Sequence, residues 1–288
     1  MNDTRDLMIA GAAGKLAVRA KGLSARTSQV VVLVQGANLS GQAGYDVSFF
    51  GGTDYSMMDA MVARGIGAVT FSVRGYATSE APPDPMEIDT DAAIEDLAAV
   101  MDWLRTQGGA PCFMRPHLAG WSWGGRIGAQ YAQANDARVD RLVLMDPALG
   151  GGNKILPAPT EAWWTGARDY FKGRFEPAYT EPGFAQALTD WVLVNEPRSP
   201  NGIRMENARG SRPSDGTQIR RPTLMIYGSG AAKQDYMQGG LRRADFFESL
   251  ATDDKQFVVI PGCGDYAHLQ KPRRVLHKHV ADFLLFGG

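Results

Sequence analysis

The run His117-Leu118-Ala119-Gly120-Trp121-Ser122-Trp123-Gly124-Gly125 carries the strongest structural signal in this chain. Its first residues read as a short apolar strand, and a helix of small residues follows through Ala129 and Ala132. Between the two, a serine sits in a Gly-x-Ser-x-Gly pattern. A serine forced into a sharp turn takes an unfavourable backbone geometry, and glycine two residues to either side removes bulk that would clash. Such a strand-to-helix turn presents the hydroxyl at the carboxyl end of a sheet. It also aims the free N–H groups of the helix start at charge developing during attack. Ser122 is the expected nucleophile; the rival reading is an ordinary glycine-rich turn with an incidental serine.

Outward from that turn, short apolar runs alternate with amphipathic stretches, the pattern of βαβ units. Upstream, Val30 to Val34 is a β-branched run suited to a strand buried on both faces, and the loop Gln35-Gly36-Ala37-Asn38-Leu39-Ser40-Gly41 ends it. Ser56 to Ala63 reads as a helix and Gly67 to Val73 as a strand. Thr90 to Arg105 sets Ala93, Leu97, Val100, Met101 and Leu104 at helical spacing. Downstream, Val139 to Met145 is a strand ending at Asp146-Pro147. The pattern then lapses and returns with strand Thr223 to Tyr227, helix Leu241 to Leu250, strand Gln256 to Ile260 and helix Pro272 to Leu284.

The turn around Ser122, the glycine loop after Val34, Arg74-Gly75-Tyr76-Ala77-Thr78-Ser79 and Pro261-Gly262 together resemble the α/β-hydrolase superfamily. The resemblance implies a mostly parallel eight-stranded sheet flanked by helices, with a lid over the serine. It also implies an oxyanion hole made by the backbone N–H groups of Trp123 and Ala37. Gln35 stands where the family's loop usually has histidine, a departure that a backbone donor survives.

A serine hydroxyl needs a base to take its proton, and the chain has 4 histidines. His117 begins a strand, away from the carboxyl end of the sheet, and reads as a packed residue. His277 and His279 fall in the final amphipathic helix and read as surface. His268, in Pro261-Gly262-Cys263-Gly264-Asp265-Tyr266-Ala267-His268, is the candidate base. The family usually sets its histidine directly after Gly-x-Gly, and here Asp265 holds that place, so Asp265 is an alternative base if burial raises its pKa. The orienting acid is displaced too. The usual position after Tyr227-Gly228-Ser229-Gly230 is Ala231; Asp146 occupies the fold's alternative location, with Asp235 the second choice.

The stretch 150–216 opens on Gly150-Gly151-Gly152 and is rich in proline, glycine and large aromatics, among them Trp163, Trp164, Tyr170, Phe171, Phe175 and Phe184. It is expected to be a cap inserted between a first core part, 1–149, and a second, 217–288. Gln35, Trp121, Trp163 and Trp164 are the expected substrate contacts, around a mostly apolar pocket; the bland alternative makes the cap aromatics the cap's own core.

The remaining features narrow the function classes. With 30 Lys+Arg against 31 Asp+Glu over 288 residues, the formal charge is −1, so no overall positive field draws in nucleic acid or anionic membrane. No apolar run approaches the ~18 residues of a membrane span. The 2 cysteines, Cys112 and Cys263, make no disulfide framework. The N-terminus has no cationic leader, and a cytoplasmic location is the default. No phosphate loop, metal cluster or dinucleotide fingerprint is visible, so no cofactor is expected. The expected activity is cofactor-independent hydrolysis of a small or medium apolar ester, lactone or amide through an acyl-enzyme on Ser122. Two rivals stay open: lyase, C–C bond or proton-transfer chemistry using Asp265, and ligand binding without turnover.

Overall fold

The computed structural model describes residues 4–151, 157–230 and 242–286, leaving aside the side chain of Thr53. Its sheet strands are β1 (Thr4–Gly11), β2 (Gly14–Lys21), β3 (Gln29–Val34), β4 (Ile66–Phe71), β5 (His117–Trp121), β6 (Leu142–Met145), β9 (Thr223–Gly228) and β10 (Lys255–Ile260). A separate ribbon pairs β7 (Trp163–Trp164) with β8 (Ser199–Pro200). The main sheet has 8 strands in the order β1-β2-β4-β3-β5-β6-β9-β10. Only the pairings of β2 with β1 and with β4 are antiparallel; from β4 to β10 every pairing is parallel.

The β3 run shows why a continuous apolar strand belongs at the centre. Val30, Val32 and Val34 enter one core and Val31 and Leu33 the other, and all five are fully buried. Successive side chains point to opposite faces, so a strand covered on both sides must be apolar throughout. The first face is covered by α3 (Thr90–Arg105) and α5 (Trp123–Ala134), the second by α1 (Gly41–Tyr45), α2 (Met57–Val62) and α10 (Arg273–Phe286). Helix starts follow the expected chemistry: Ser56 caps α2 by accepting from the Asp59 N–H, and Asp89 caps α3 by accepting from Ala92.

Between β6 and β9 the described residues add no strand to the main sheet. It forms α6 (Ala167–Arg174), α7 (Phe184–Asn195) and α8 (Gly202–Arg209) beside the two-residue ribbon. Phe171, Phe175, Phe184 and Leu188 are buried in the second core, where Phe184 stacks on Tyr55 with ring centroids 4.5 Å apart. These aromatics anchor the segment to the sheet domain. Two further helices are α4 (Pro111–Met114), before β5, and α9 (Arg243–Ser249), between β9 and β10.

Observed limits differ from the expected ones mostly by trimming. The strand expected from Val139 starts at Leu142, after a tight turn at Asp136–Arg138, and α9 is shorter than Leu241 to Leu250, with Leu241 outside the described residues. The hairpin of β1 and β2 has no counterpart in the sequence reading. Its register closes on Gly11 opposite Gly14, and only alternate residues are buried, so the segment carries no continuous apolar run. Among the described residues, no helix is long and apolar enough to cross a membrane.

Candidate active site

At the end of β5, Ser122 has φ 54° and ψ −116°, a left-sided conformation that costs a non-glycine residue about 1–3 kcal/mol. The surrounding structure holds it there. The Ser122 N–H donates to the Met145 carbonyl at 3.0 Å, and its own carbonyl accepts from Gly125 and Ala148 at 3.0 and 2.9 Å. The glycines are needed for close approach. A Cβ on Gly120 would lie 2.1 Å from the Gly124 carbonyl oxygen, and one on Gly124 would lie 2.0 Å from that of Val34. Gly36 is required for a different reason: a Cβ there would meet the Trp121 ring at 2.5 Å.

Ser122 opens into a cavity of about 420 Å³. The sheet domain contributes Ala37, Trp121, Arg126, Asp146, Asp265 and Tyr266, and the segment between β6 and β9 contributes Trp164, Tyr170, Arg174, Arg204 and Asn207. Asp146 continues the ladder of β6, its N–H donating to Ile226 at 2.9 Å, then turns out at φ 41° before Pro147. Its side chain is buried, and one carboxyl oxygen has no hydrogen-bond partner. Burial pushes this carboxyl well above the usual carboxylate range; the Arg243 guanidinium, 3.9 Å away, opposes that shift, and the charge of Asp265 adds to it. Asp265 itself pairs with Arg174 of α6 at 2.9 Å, and its backbone carbonyl accepts from the Trp121 indole at 2.6 Å.

The histidine does not arrive. His268 is fully enclosed behind Trp121, with ring centroids 4.8 Å apart, and is flanked by Tyr45 and Tyr266. A ring nitrogen bonds to the Gly44 backbone, Nε2 has no partner, and desolvation lowers the pKa to about 3. His268 is therefore a neutral core residue, and the expectation that it is the base is corrected. The reason is register: three residues beyond the family position, the chain has entered the short turn Ala267–Leu269 that feeds α10, and the ring is carried under the sheet rim. His277, expected at the surface, is buried as well, its Nε2 3.2 Å from the His268 carbonyl oxygen. His117 is buried at the far end of β5 against Gln29, as anticipated, and His279 is exposed. None of the 4 histidines lines the cavity.

Other expectations divide. Ala37, Trp121 and Trp164 line the cavity. Trp123 starts α5, where first-turn N–H groups lack an intrahelical acceptor, while its indole points away to donate to Thr90 at 3.0 Å. Gln35 is not a substrate contact: it is wholly buried, and its Oε1 accepts from the Val73 N–H at 3.0 Å, tying two loops together. Nor does Trp163 line the cavity, because its ring lies under the Arg198 guanidinium at 4.0 Å. Asp235 and Ala231 lie outside the described residues.

The arginines were missed by sequence reasoning. Arg126 is buried on α5, donating to Ala148 at 2.9 Å and Asn207 at 3.1 Å, and is 3.3 Å from Glu206. One signal could have found it, a lone cation in a helix that has no other charged residue. Arg204 is held by neutral oxygens, those of Asn38, Asn201 and the Pro200 carbonyl, and lies over the Trp164 ring at 4.4 Å. Arg126, Arg174 and Arg204, with Asp146 and Asp265, make the cavity wall charged rather than purely apolar.

Comparison with known proteins fits this architecture. The model of the alpha/beta hydrolase family matches residues 31–278. A 2-hydroxy-6-oxononadienedioate/2-hydroxy-6-oxononatrienedioate hydrolase of Paraburkholderia xenovorans is 27% identical over 249 residues, covering 79% of each chain. Among solved structures, the enol-lactonase of Burkholderia xenovorans superposes with a TM-score of 0.72 at 19% identity, covering 96% of this chain and 99% of that one. Epoxide hydrolase A of Mycobacterium thermoresistibile gives 0.69 at 16% identity, covering 99% of both. With the sheet order, the turn at Ser122 and the family match in agreement, this chain belongs to the alpha/beta hydrolase family.

Proposed function

We propose that this chain is a hydrolase that needs no cofactor, attacking a carbonyl group of a small, negatively charged substrate with Ser122. The observation that carries the reading is Ser122 itself, strained at φ 54° in the wall of a cavity shared with Asp265, Asp146 and three arginines. In this reading Asp265 takes the Ser122 proton, since it stands where the family places its histidine and lines the same cavity. The backbone N–H groups of Ala37 and Trp123 hold the oxyanion, each contributing about 3 kcal/mol to barrier lowering. The cap segment 150–216 closes over the site, and its Arg174 and Arg204 receive the substrate's anionic end while Trp164 and Tyr170 cover its apolar part. The names of the curated relatives, which act on dioates, support an anionic substrate.

The test is labelling with a fluorophosphonate followed by peptide mapping. The folded protein is expected to carry the label on Ser122, and Ser122→Ala to carry none; an unlabelled Ser122 in folded protein overturns the reading. A second reading has one observation in its favour, the presence of Asp265 in the cavity wall beside Ser122. There Asp265 abstracts a proton from the substrate without a covalent intermediate, in lyase or C–C bond chemistry. Turnover retained in Ser122→Ala but lost in Asp265→Asn selects that reading.

A further inference from the structure

We propose that Asp146 and Asp265 work as a split acid–base pair in place of an imidazole, with Asp146 the proton donor to the leaving group. The proposal rests on the reading of Ser122 as nucleophile and assigns the second half of its proton traffic.

The geometry supporting it is specific. Both residues line the cavity that Ser122 enters, and they come from different elements, Asp146 from the end of β6 and Asp265 from the loop after β10. They sit in opposite environments. Asp265 is ion-paired with Arg174 at 2.9 Å, whereas Asp146 is nearly inaccessible, has one carboxyl oxygen without a partner, and has its nearest guanidinium, that of Arg243, at 3.9 Å. An anionic carboxylate in such a place would be desolvated, with no hydrogen bond at that oxygen and the Arg243 guanidinium 3.9 Å from it, a costly arrangement. A carboxylic acid avoids that cost and keeps a proton in the wall of the cavity. Among the described residues, the charged and titratable groups acting on Asp146 are Arg243 of α9, Asp265, Cys263, and Tyr227 of β9, together with a hydrogen bond from the Gly228 N–H. Two carboxyls of one cavity, one ion-paired with a guanidinium and the other buried, are suited to separate acid and base roles.

The steps balance without any further reagent. The Ser122 Oγ forms a bond to the carbonyl carbon, the π pair moves to oxygen, and the hydroxyl proton passes to the Asp265 carboxylate. Collapse re-forms the carbonyl, the bond to the leaving group breaks, and the leaving atom takes the Asp146 proton. Transfer of a proton from Asp265 to Asp146 restores the starting arrangement, and water then attacks the acyl-enzyme and passes its proton to Asp265. Collapse breaks the bond between the acyl carbon and Ser122 Oγ, which takes the Asp146 proton, the product leaves as the acid, and a second transfer from Asp265 to Asp146 regenerates the starting protein.

The experiment compares two ester series on the intact chain, p-nitrophenyl esters, whose leaving group departs without protonation, and alkyl esters of the same acids, whose leaving group needs it. Asp146→Asn is expected to slow the alkyl esters by about 100-fold or more and the p-nitrophenyl esters by less than about tenfold. Asp265→Asn is expected to slow both. Equal losses on both series in Asp146→Asn reduce that residue to structural support and overturn the proposal. Infrared spectra at neutral pH supply a readout that needs no turnover. The unsubstituted protein is expected to show a protonated carboxyl band that disappears in Asp146→Asn and titrates at lower pH in Asp265→Asn; a spectrum unchanged in both variants overturns the proposal. Failure of the underlying reading is recognisable separately, as absent Ser122 labelling and no turnover of either series while the infrared band persists.

Discussion

At the scale of single residues, the site is marked by which of Asp265 and His268 reaches the cavity. The carboxylate stands in the cavity, and the imidazole is part of the packing beneath Trp121. This predicts how stability depends on pH. His268 and His277 have pKa values lowered to about 3 and about 4, against an ordinary value of 6.5, because burial penalises the charged ring. Between the folded and unfolded values the unfolded chain binds more protons, so their contribution is complete above pH 6.5 and is lost as pH falls toward 4. Each group contributes a slope of up to about 1.4 kcal/mol per pH unit. Thermal midpoints measured across that range are expected to drop steeply for the unsubstituted protein and less steeply for His268→Gln. Parallel curves would show that His268 is solvated rather than enclosed. The sequence held the essential clue here, Asp265 in the usual histidine place; it did not hold the burial of residue 268, which depends on how the turn after β10 rolls into α10.

Among elements, the strand-to-helix turn of β5 and α5 was the most legible part of the chain, because its constraint is local. The glycines at 120 and 124 are set by the backbone around them: an added Cβ would lie 2.1 and 2.0 Å from carbonyl oxygens, clashes that no side chain can relieve by moving. Gly124→Ala is therefore expected to cost about 4 kcal/mol or more, observed as loss of soluble folded protein or a collapsed midpoint in denaturant. Gly128→Ala, on the same helix, is a control: its Cβ would meet only side chains, at 3.5 Å and beyond, and is expected to be tolerated. The helix α3 was legible to the residue, since Asp89 caps it and its apolar spacing is regular. The β1–β2 hairpin was not, because a strand with one exposed face and a shared edge shows little hydrophobic run. The cap helices escaped for another reason. Their aromatics gave no sign of which would anchor, like Phe184, and which would line the cavity, like Tyr170, since that depends on packing against the sheet domain.

For the molecule as a whole, a net charge of −1 conceals a local excess of positive charge where the cap meets the sheet. Arg126 and Arg174 have carboxylate neighbours, but the guanidinium of Arg204 rests on neutral oxygens. A substrate with a terminal carboxylate is accordingly expected to be preferred over its neutral methyl ester by at least about tenfold in kcat/KM. That preference should shrink as salt screens the attraction and should fall in Arg204→Leu. A neutral substrate preferred at every ionic strength would count against the charge argument. None of this was visible in the composition, because three arginines distant in sequence meet only when the segment between β6 and β9 folds back over Ser122. The aromatic content of that segment pointed to an apolar pocket, and the fold put much of it into anchoring.

The central claim is that a carboxylate, and no imidazole, activates Ser122. The rate of fluorophosphonate labelling at Ser122, compared across Asp265→Asn, His268→Gln and the unsubstituted chain, tests it most directly. The account predicts a loss of about 100-fold or more in Asp265→Asn and a rate within about threefold of the original in His268→Gln. Undiminished labelling in Asp265→Asn, with labelling abolished in a folded His268→Gln protein, would contradict it.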